Sequence, residues 1–448
     1  MRYVHRHEFF GGMLYDKHEK EYLHLDPLAS ALLLNPSRRF TDAELREYDA
    51  DDTDVSDVVE ELQERQVLGG THFLGNTAVP GMLSAPTRIF FEITYRCPEK
   101  CRHCYTDSGA KDDGELSLQQ KLTIVDQMVE MGCFRVSIAG GEPLVDRDFF
   151  PFVEYALERG VDVSFSTSGT PITRAIATRL ARLDIRTINI SLDGWDDESY
   201  GLVRGQGRFK FMVRGVRTLR EHYHGKIAAK CTLMTSNLRH LDLIMAQAHE
   251  LGFDVVKFNC VREAGRSSNA PTLIPTQDEY LESIQMLAKV FNEGTSPVKM
   301  VLPVNPYQRV TNADPDFVGE LGFGCYAGKE SFCINPVGDI QACSSFPKGM
   351  YVDGNVRDVR LLDAWMQGAG MLTFRGMQGS EDCQTCPSYS GCRGGCYLRS
   401  FSATGDPNAT DPYCYERRNK DTYRRGGLPV PLMKRSPSGD LVPVGNPA

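Results

Sequence analysis

From Thr87 onward, apolar segments typical of strands alternate with stretches of helical periodicity. The predicted strands are TRIFFEITYR, FRVSIAG, VDVSFST, RTINISLDG, KIAAKCTLMT and FDVVKFNCV. Between them, apolar residues recur at helical spacing in segments such as LTIVDQMVEM, AIATRLARL, FKFMVRGVRTLREH and HLDLIMAQAHEL. Strict alternation of strand and helix predicts an α/β fold with a parallel sheet and right-handed crossovers. Six such units favour a partial (β/α)6 TIM-like barrel over an open sheet, although periodicity alone does not decide between them.

The first 76 residues follow another pattern. RHEFFGGMLYDKHEKEYLHLD has apolar stretches around a polar KHEKE turn, which predicts two or three short strands. ASALLLN and VSDVVEELQERQVLGG predict amphipathic helices, the second of which is ended by glycine. Strands followed by helices over this length indicate a small α+β domain of the winged-helix type. A linker containing Pro80, Gly81 and Pro86 follows it.

A third region, from about Gly322 to Tyr423, is rich in glycine and cysteine and has little apolar periodicity. Such a segment can bury little core, so bound metal clusters are expected to hold it together. A flexible or draped tail is expected after it. The predicted division is residues 1–76 for the N-terminal domain, 77–86 for the linker, 87–315 for the barrel, 316–423 for the cysteine-rich domain and 424–448 for the tail.

Composition and charge narrow the classes of function. The chain has 448 residues and a formal net charge of −9, which argues against a nucleic-acid-binding surface as its main feature. No apolar run approaches the roughly 20 residues that span a bilayer. The N-terminal segment MRYVHRHEFF lacks the apolar core of a secretory signal. We therefore expect a cytoplasmic protein that binds neither nucleic acid nor membrane.

The 14 cysteines change this picture most. In a large chain without a signal peptide they are expected to stay reduced, and short spacings between them then indicate metal or cluster ligands. Ten of them fall into two groups with short spacings. The others are scattered and are expected to be buried core residues, namely Cys133, Cys231, Cys260 and Cys333.

The first cysteine group follows the first barrel strand and has the form Cys97-x3-Cys101-x2-Cys104. Three thiolates on one loop can bind three irons of a four-iron cluster, which leaves one iron open to a substrate or cofactor. A structural zinc site would take four protein ligands, and no fourth cysteine or histidine has a suitable local spacing. His103 lies between two of the cysteines and is expected to point elsewhere. The pattern favours an iron–sulfur cluster over zinc.

This motif, at this place in a strand–helix array, resembles the radical S-adenosylmethionine (SAM) superfamily. The resemblance implies that SAM binds the open iron through its amino and carboxylate groups. It also implies that one electron, from a reducing donor of the flavodoxin or ferredoxin type, cleaves SAM to a 5′-deoxyadenosyl radical that abstracts a substrate hydrogen. The cofactor supplies this chemistry, and the protein supplies orientation and a dry site.

Residues after the second and sixth strands carry the same resemblance. Gly140-Gly141-Glu142-Pro143 resembles the family's GGEP motif, which implies that exposed backbone and Glu142 meet the amino group of SAM. Glycine suits this position because a missing side chain lets the main chain approach a ligand closely. The end of the sixth strand, Asn259 to Arg262, is implied to lie against adenine.

Residues after the third and fourth strands supply the other implied contacts with SAM. Ser166 and Thr167 match a position that contacts ribose. Ser191 and Arg204 are implied to bind the SAM carboxylate in a charge-assisted pairing. Asp193 lies in the same SLDG segment as Ser191 and is included in the site. The alternatives are a surface ion pair for Arg204 and loop capping for Asp193.

The second cysteine group has the pattern Cys325-x12-Gly338-x4-Cys343, then Cys383-x2-Cys386-x5-Cys392-x3-Cys396, then Cys414. This pattern resembles the SPASM extension of the radical SAM family. Because Cys-x2-Cys also binds zinc, zinc knuckles are the alternative. The resemblance implies two auxiliary four-iron clusters, and hence three [4Fe–4S] clusters in the whole protein.

The resemblance also implies how the seven thiolates are shared. The first auxiliary cluster is assigned Cys325, Cys343 and Cys396. The second is assigned Cys383, Cys386, Cys392 and Cys414. The fourth ligand of the first cluster is left open between Cys333, another side chain and the substrate.

Residues 1–76 resemble the recognition element of enzymes that mature ribosomally made (RiPP) peptides, on the segments FFGGMLYD and EYLHLD. In that element the leader of a precursor peptide adds a strand to an exposed sheet edge. A DNA-binding or purely structural wing is the alternative, and the acidic balance disfavours DNA. The whole architecture resembles the streptide-type crosslinking maturases.

These resemblances imply an oxidoreductase that modifies a precursor peptide by a crosslink or a related change, with the auxiliary clusters accepting an electron. The alternative enzymes are a formylglycine-type sulfatase maturase and a small-molecule cofactor or haem-pathway enzyme, which generally lack a leader-binding domain. The non-enzyme alternative is an iron–sulfur electron-transfer or binding protein, which a three-cysteine loop with an open iron disfavours.

Overall fold

The computed structural model describes residues 2–302, 324–386, 389–414, 433–435 and 441–443. The N-terminal domain is a four-stranded sheet with helices packed on one face. Its strands are β1 (Tyr3–Glu8), β2 (Gly11–Asp16), β3 (Glu21–Leu25) and β4 (Thr71–Phe73), in the order β3-β2-β1-β4. Its helices are α1 (Pro27–Leu34), α2 (Asp42–Glu47) and α3 (Asp52–Glu64). The sequence pattern predicted the first strands, α1 and α3, but neither α2 nor β4.

A ten-stranded sheet forms the centre of the structure. Its strands are β5 (Arg88–Glu92), β6 (Arg135–Ala139), β7 (Asp162–Thr167), β8 (Thr187–Ser191), β9 (Ile227–Leu233), β10 (Val255–Cys260), β11 (Lys299–Val301), β12 (Ser331–Ile334), β13 (Asp339–Gln341) and β14 (Val352–Asn355). The order is β11-β10-β9-β8-β7-β6-β5-β12-β13-β14, and β5 to β11 are parallel. All six predicted barrel strands, β5 to β10, are present. They follow in chain order without the reversal of a doubly wound sheet, which is the arrangement of a barrel wall.

Helices alternate with these strands and cover the outer face of the wall. They are α4 (Leu118–Met131), α5 (Phe149–Glu158), α6 (Arg174–Leu180), α7 (Asp197–Arg204), α8 (Phe209–Arg220), α9 (Leu241–Glu250) and α10 (Gln277–Glu293). Phe91 on β5 contacts Phe152 on α5, with ring centres 5.2 Å apart, and both side chains are fully buried.

The opposite face of the strands is polar. Successive strand residues point to opposite faces, so the residues that alternate with the outer apolar set point into the barrel. These inward residues are only half-buried and include Ser137, Ser164, Asn189, Lys230 and Lys257. The barrel interior is therefore a polar, partly accessible space rather than a stack of packed apolar layers.

The N-terminal sheet packs against the start of the barrel strands. The Tyr15 ring stacks on Phe134, just before β6, with ring centres 5.3 Å apart. The buried Arg6 donates a hydrogen bond to the carbonyl oxygen of Gly132 at 2.8 Å. Arg6 Nε also forms an ion pair with Glu8 Oε1 at 2.5 Å, and both side chains are almost completely enclosed. The hydrogen bond from Arg6 to Gly132 and the stacked aromatic pair thus fix the domain to the barrel, whereas the ion pair lies within β1.

The cysteine-rich domain shares its core with the barrel. Strand β12 pairs in parallel with β5, and the fully buried Trp365 donates a hydrogen bond to the carbonyl oxygen of Leu83 at 2.9 Å. The domain's helices are α11 (Leu361–Gln367), α12 (Ala369–Gly376), α13 (Glu381–Gln384), α14 (Tyr389–Cys392) and α15 (Tyr397–Thr404). Phe332, Phe374 and Tyr397 are also fully buried. The prediction that this region buries little core was wrong, because its aromatic residues come together from separate elements rather than from one periodic segment.

The predicted boundary between residues 315 and 316 lies outside the described residues. In the predicted tail, β15 (Met433–Arg435) and β16 (Leu441–Pro443) form an antiparallel pair that the sequence pattern did not predict. Within the described ranges, no helix has both the length and the apolar character that crossing a bilayer requires.

Candidate functional site

The first cysteine loop lies where β5 ends, at the carboxyl edge of the barrel. Cys97 N donates a hydrogen bond to the carbonyl oxygen of Gly109 at 2.9 Å, which closes the loop. Burial, and then the neighbouring Glu142, Cys101 and Cys104, raise the pKa of Cys97 to about 12. Acidic groups raise one another's pKa in this way only when they lie close together. The structure therefore brings the three cysteines of this group to one place.

A buried ion pair lies beside this loop. Arg204 Nη1 is 3.7 Å from Cys101 Sγ, and Arg204 Nε is 2.5 Å from Asp193 Oδ2. Asp193 Oδ1 also accepts a hydrogen bond from Thr232 N at 2.7 Å. Although burial alone would raise it, the Arg204 guanidinium and then His103 hold the pKa of Asp193 below its ordinary value. The pair is almost fully enclosed, which excludes a surface ion pair. Arg204 is therefore bound to Asp193.

Gly140 and Gly141 let the chain pack closely on the segment that leads into the cysteine loop. A Cβ at Gly141 would lie 2.3 Å from the carbonyl oxygen of Arg96. At Gly140, where φ is +110°, a Cβ would lie 2.6 Å from the carbonyl oxygen of Thr94. Gly141 N donates a hydrogen bond to the same Thr94 oxygen at 2.7 Å. The two glycines thus position the cysteine loop. The sequence analysis had assigned them a different role, in which they let the main chain approach SAM.

The carboxylate of Glu142 is tied to the end of β7. Glu142 is almost completely buried and accepts hydrogen bonds from Thr167 Oγ1 at 2.7 Å, Ser168 N at 2.7 Å and Ser168 Oγ at 2.6 Å. Pro143 begins the short 3-10 turn that follows. Ser166, the preceding residue of β7, points into the barrel and is half-buried. The GGEP segment and the end of β7 therefore form one hydrogen-bonded unit.

Cys325, Cys343 and Cys396 of the second group lie close together. Burial, and then Cys396 and Cys343, raise the pKa of Cys325 to about 12. Cys396 N donates a hydrogen bond to Asp411 Oδ2 at 2.8 Å. Burial and then Cys343 likewise raise the pKa of Cys333 to about 12, so Cys333 lies beside this set.

The other cysteines of the second group lie in α13 and in the residues that follow it. They are Cys383, Cys386, Cys392 and Cys414. Burial, and then Cys414, Asp411 and Cys383, raise the pKa of Cys392 to about 12. Cys386 N donates a hydrogen bond to the carbonyl oxygen of Cys383 at 3.0 Å, which places it one tight turn away. The structure therefore gathers this set into one compact region.

All 14 cysteines lie in the described ranges, and none of them forms a disulfide bond. Cys133 and Cys231 are fully buried core residues, whereas Cys260 is only partly buried and its Sγ lies 2.9 Å from Tyr280 Oη. In the part of the chain that the structure describes, no three side chains of Cys, His, Asp or Glu converge on a point that one metal ion could occupy. A four-iron cluster does not require such convergence, because each thiolate binds a different iron.

The sequence matches two known domain families. The model of the radical SAM superfamily matches residues 91–260, and that of the SPASM iron–sulfur cluster-binding domain matches residues 325–387. The mycofactocin maturase MftC of Mycobacterium tuberculosis (strain ATCC 25618 / H37Rv) is 32% identical over 367 residues, which cover 79% of this chain and 89% of that protein. The chain belongs to the radical SAM superfamily, in its SPASM-containing group.

Two further comparisons extend this assignment. The AdoMet-dependent heme synthase of Oleidesulfovibrio alaskensis (strain ATCC BAA-1058 / DSM 17464 / G20) is 26% identical over 352 residues, or 75% of this chain and 89% of that protein. The crystal structure of Streptococcus suis SuiB bound to precursor peptide SuiA has a TM-score of 0.69 and 17% identity. It covers 92% of this chain and 97% of that chain. At this identity the likeness shows the fold alone.

The residues around the first loop fit the cofactors of a radical SAM protein. The three thiols stand together at the carboxyl edge of the barrel, where the fold carries its chemistry. Ser191 on β8 points into the half-exposed interior and lies across the sheet from Lys230 on β9. Arg204 adds a positive charge beside Cys101. Because Asp193 already neutralises that charge in an ion pair, Arg204 attracts a second anion less strongly.

The sequence patterns did not identify a polar group that links the two cysteine groups of this radical SAM protein. Tyr105 Oη donates a hydrogen bond to Glu92 Oε1 at 3.1 Å. The guanidinium of Arg262 lies over the Tyr105 ring, and its Nη1 donates a hydrogen bond to Ser345 Oγ at 2.7 Å. Burial raises the pKa of Glu92 to about 7. The sequence signal that could have indicated this group was Glu92, an acidic residue at the end of β5 whose position in the strand makes it point into the barrel.

Proposed function

We propose that this protein is a radical SAM oxidoreductase that modifies a ribosomally made precursor peptide. The observation that carries the proposal is the similarity to the maturase MftC over 89% of that protein, together with the SPASM domain. The SuiB structure, which has the same fold, holds a precursor peptide. The modification is expected to be a crosslink or a related oxidative change, with an auxiliary cluster accepting the electron that the substrate gives up.

Three [4Fe–4S] clusters are proposed, with the ligands that the cysteine spacing suggested. Cys97, Cys101 and Cys104 would bind the SAM cluster, Cys325, Cys343 and Cys396 the first auxiliary cluster, and Cys383, Cys386, Cys392 and Cys414 the second. The effect of neighbouring thiols on the pKa of Cys97, Cys325 and Cys392 supports the grouping within each set, and the hydrogen bond from Cys386 N to Cys383 supports the place of Cys386. Cys333, another side chain or the substrate would complete the first auxiliary cluster. A flavodoxin- or ferredoxin-type donor would supply the reducing electron.

When bound, SAM supplies the radical that removes a hydrogen from the substrate. The chain's own residues are proposed to orient it, and the SAM contacts are proposed at Gly140, Gly141, Glu142, Pro143, Ser166, Thr167, Ser191, Asp193 and Arg204. Arg204, held by Asp193, places a positive charge 3.7 Å from Cys101 Sγ and so offsets thiolate charge. Ser166 and Ser191 offer hydroxyl groups on the interior face.

Residues 1–76 are proposed to be a leader-recognition domain of the winged-helix type. Strand β3 lies at one edge of the sheet and pairs only with β2 among the described residues. An extended leader segment could add to that edge through main-chain hydrogen bonds. The fold likeness to SuiB supports this assignment, because a match to 92% of the chain reaches into the N-terminal domain. A cytoplasmic location is proposed as well, and it agrees with the cysteine usage of the chain, since none of the cysteines forms a disulfide bond.

A haem-pathway enzyme is the second candidate function. The similarity to an AdoMet-dependent heme synthase favours it, although the identity of 26% is lower than the 32% shared with MftC. The N-terminal domain favours the peptide, since small-molecule substrates need no leader-binding edge.

The test of the proposed function uses the anaerobically reconstituted enzyme. We expect about twelve iron atoms per chain, four for each cluster. The enzyme is incubated with SAM, a reductant and the peptide encoded by a short reading frame beside its gene, and the peptide mass is followed by mass spectrometry. A mass change that requires SAM and is absent with Cys97→Ala supports the proposal. An unchanged peptide, together with turnover of an iron-containing tetrapyrrole, would favour the haem-pathway candidate instead.

A further inference from the structure

Exposed basic side chains lie beside the first cysteine loop. Lys100 and Arg102 flank Cys101 in that loop, and both side chains are exposed. Arg102 N donates a hydrogen bond to the carbonyl oxygen of Val203 at 2.9 Å, and Arg102 Nη1 donates one to the carbonyl oxygen of Leu202 at 3.2 Å. The last turn of α7 therefore lies directly against the loop.

The start of α8 brings further cations to the same place. Arg208, which precedes α8, has its Nε 3.3 Å from Oε2 of Glu99 in the loop. Lys210 and Arg214 are four residues apart and exposed, so they lie on one face of the helix. Lys210 Nζ is 5.4 Å and the Arg214 guanidinium carbon is 5.1 Å from the centre of the Phe211 ring. We call this set the basic surface, which consists of Lys100, Arg102, Leu202, Arg208, Lys210 and Arg214.

The charge of the basic surface contrasts with that of the whole chain. The formal net charge is −9, yet residues 202–220 contain six basic residues and no acidic residue. Among the described residues, no acid forms an ion pair with Lys100, Arg102, Lys210 or Arg214. The stability of α8 does not explain its cations, because basic residues at the start of a helix oppose the helix dipole. The surface therefore attracts anionic groups that the chain as a whole repels.

An exposed apolar side chain lies among these cations. Leu202 is 47% exposed, and its carbonyl oxygen accepts the hydrogen bond from Arg102. The acids in the first turn of α7, Asp197 and Glu198, lie at the opposite end of that helix. Protein interfaces commonly combine an apolar contact with a polar rim, and complementary charge steers and orients the partner. The basic surface thus fits an acidic protein.

We propose that the basic surface is the docking site of an acidic one-electron carrier protein of the flavodoxin type. The inference rests on the proposed function, which requires an electron donor for the cluster at Cys97, Cys101 and Cys104. A donor seated on this surface lies next to that cluster, because Lys100 and Arg102 flank Cys101. The donor is oxidised by one electron and the cluster is reduced by the same electron, and no bond forms or breaks in this step.

The position of α8 favours an electron carrier over the precursor peptide as the occupant. This helix belongs to the layer that covers the outer face of the barrel wall, and Lys210 and Arg214 are exposed on it. These two cations therefore face away from the barrel interior, in which the peptide would react. An electron can enter the cluster from outside, whereas the reactive part of a substrate cannot remain there.

The test measures binding of a flavodoxin with a net negative charge to the reconstituted enzyme by isothermal titration calorimetry. The variant combines Lys210→Glu with Arg214→Glu. The matched control combines Arg39→Glu with Arg46→Glu, which reverses two exposed charges in the N-terminal domain. At equal iron content we expect the Kd to rise about tenfold in the variant and to change less than about twofold in the control. Added salt should weaken binding to the wild type, because it screens exposed charges.

The rate of SAM cleavage separates docking from a general change in the cluster. The variant should be slower with reduced flavodoxin but equal to the wild type with dithionite or reduced methyl viologen, which are too small to need a docking surface. An equal Kd in wild type and variant would overturn the proposal, as would equal losses in variant and control or a loss with every donor. Weaker binding of the precursor peptide with an unchanged Kd for flavodoxin would also overturn it and would assign the surface to the peptide. Cleavage with dithionite does not depend on this surface, so its failure in the wild type would count against the proposed function instead.

Discussion

The guanidinium carbon of Arg262 lies 5.1 Å from the centre of the Tyr105 ring. Tyr105 directly follows Cys104 in the first cysteine loop. Arg262 also donates a hydrogen bond to Ser345, two residues after Cys343 in the cysteine-rich domain. One side chain therefore contacts the segments that carry both cysteine groups, although these segments are far apart in the sequence.

If the proposed first auxiliary cluster is present, replacing Arg262 is expected to change its redox chemistry. A nearby positive charge favours the more negative, reduced form of a cluster, so Arg262→Gln should lower its reduction potential by roughly 60 mV, a tenfold change in the one-electron equilibrium. The measurement is a potentiometric titration followed by electron paramagnetic resonance. Arg360→Gln is the control, because Arg360 forms an exposed ion pair with Glu130. An unchanged potential in Arg262→Gln would show that this guanidinium does not act on the cluster.

The ligand assignment of the first loop predicts a selective loss of iron. A variant with alanine at Cys97, Cys101 and Cys104 should keep about eight of the twelve irons and lose SAM cleavage completely. Iron is measured by colorimetric assay and SAM cleavage by chromatography of 5′-deoxyadenosine. Cys133→Ala serves as the control, because Cys133 is buried in the core away from the loop. SAM cleavage that survives the triple substitution would falsify the assignment.

Gly141→Ala should disturb the cysteine loop. Its Cβ would lie 2.3 Å from the carbonyl oxygen of Arg96, a contact that forces the backbone to move. Overpacking of this kind costs about 1–3 kcal/mol, so we expect a lower unfolding temperature and incomplete iron at the SAM cluster. Gly109→Ala is a matched control in the same loop, because no atom lies within 4 Å of the Cβ built there. If both variants match the wild type, the close approach does not position the loop.

The buried carboxyl of Glu92 predicts a pH dependence of stability. Burial raises the pKa of Glu92 to about 7, whereas a glutamate in an unfolded chain titrates near pH 4.3. The folded state therefore binds this proton more tightly. The stability that the proton contributes is complete below about pH 4 and is lost as the pH rises through 7, by about 4 kcal/mol in all. Glu92→Gln keeps an acceptor for Tyr105 but does not titrate. Its unfolding temperature relative to the wild type should rise between pH 5 and pH 8, and a constant difference would contradict the shift.

The ion pair of Arg6 and Glu8 predicts a large effect on stability. Arg6→Met should cost about 3–5 kcal/mol, because it leaves the enclosed Glu8 carboxylate without its counter-ion and with hydrogen bonds from Ser84 alone. Arg2→Met is the control, since Arg2 is 43% exposed in its ion pair with Asp16 and should cost at most about 1 kcal/mol. The free energy of unfolding is measured by denaturant titration. Similar small losses in both variants would mean that the buried pair contributes little to stability.

The parts of the structure that could be predicted from the sequence are those encoded locally. The six barrel strands alternate with amphipathic helices over short windows, so each was recognisable by its own periodicity. Cys97, Cys101 and Cys104 are neighbours on one loop, and their spacing alone placed them together. The short helix α2 and strand β4 were missed because elements of this length carry few periodic positions.

The parts that could not be predicted depend on contacts between distant segments. Trp365 completes a core with β12 and the linker, and no window of sequence contains all three. Arg262 follows β10, and its hydrogen bond to Ser345 in the cysteine-rich domain could not be predicted from the sequence, which suggested only a position near adenine. The sequence shows that residues 202–220 lack acids, but the contact of this segment with the first cysteine loop becomes visible only in the folded chain.

The attachment of the N-terminal domain determines how far a substrate must reach. Arg6 contacts Gly132 just before β6, and Lys20 Nζ lies 2.7 Å from Asp184 Oδ1 just before β8, whereas the cysteine loop is at the other ends of the strands. Strands of five or six residues are about 17–20 Å long. A peptide held at the edge of β3 would therefore need an extended spacer of at least about six residues before its reactive residue entered the mouth of the barrel. Precursors with a shorter spacer are expected to bind without reacting.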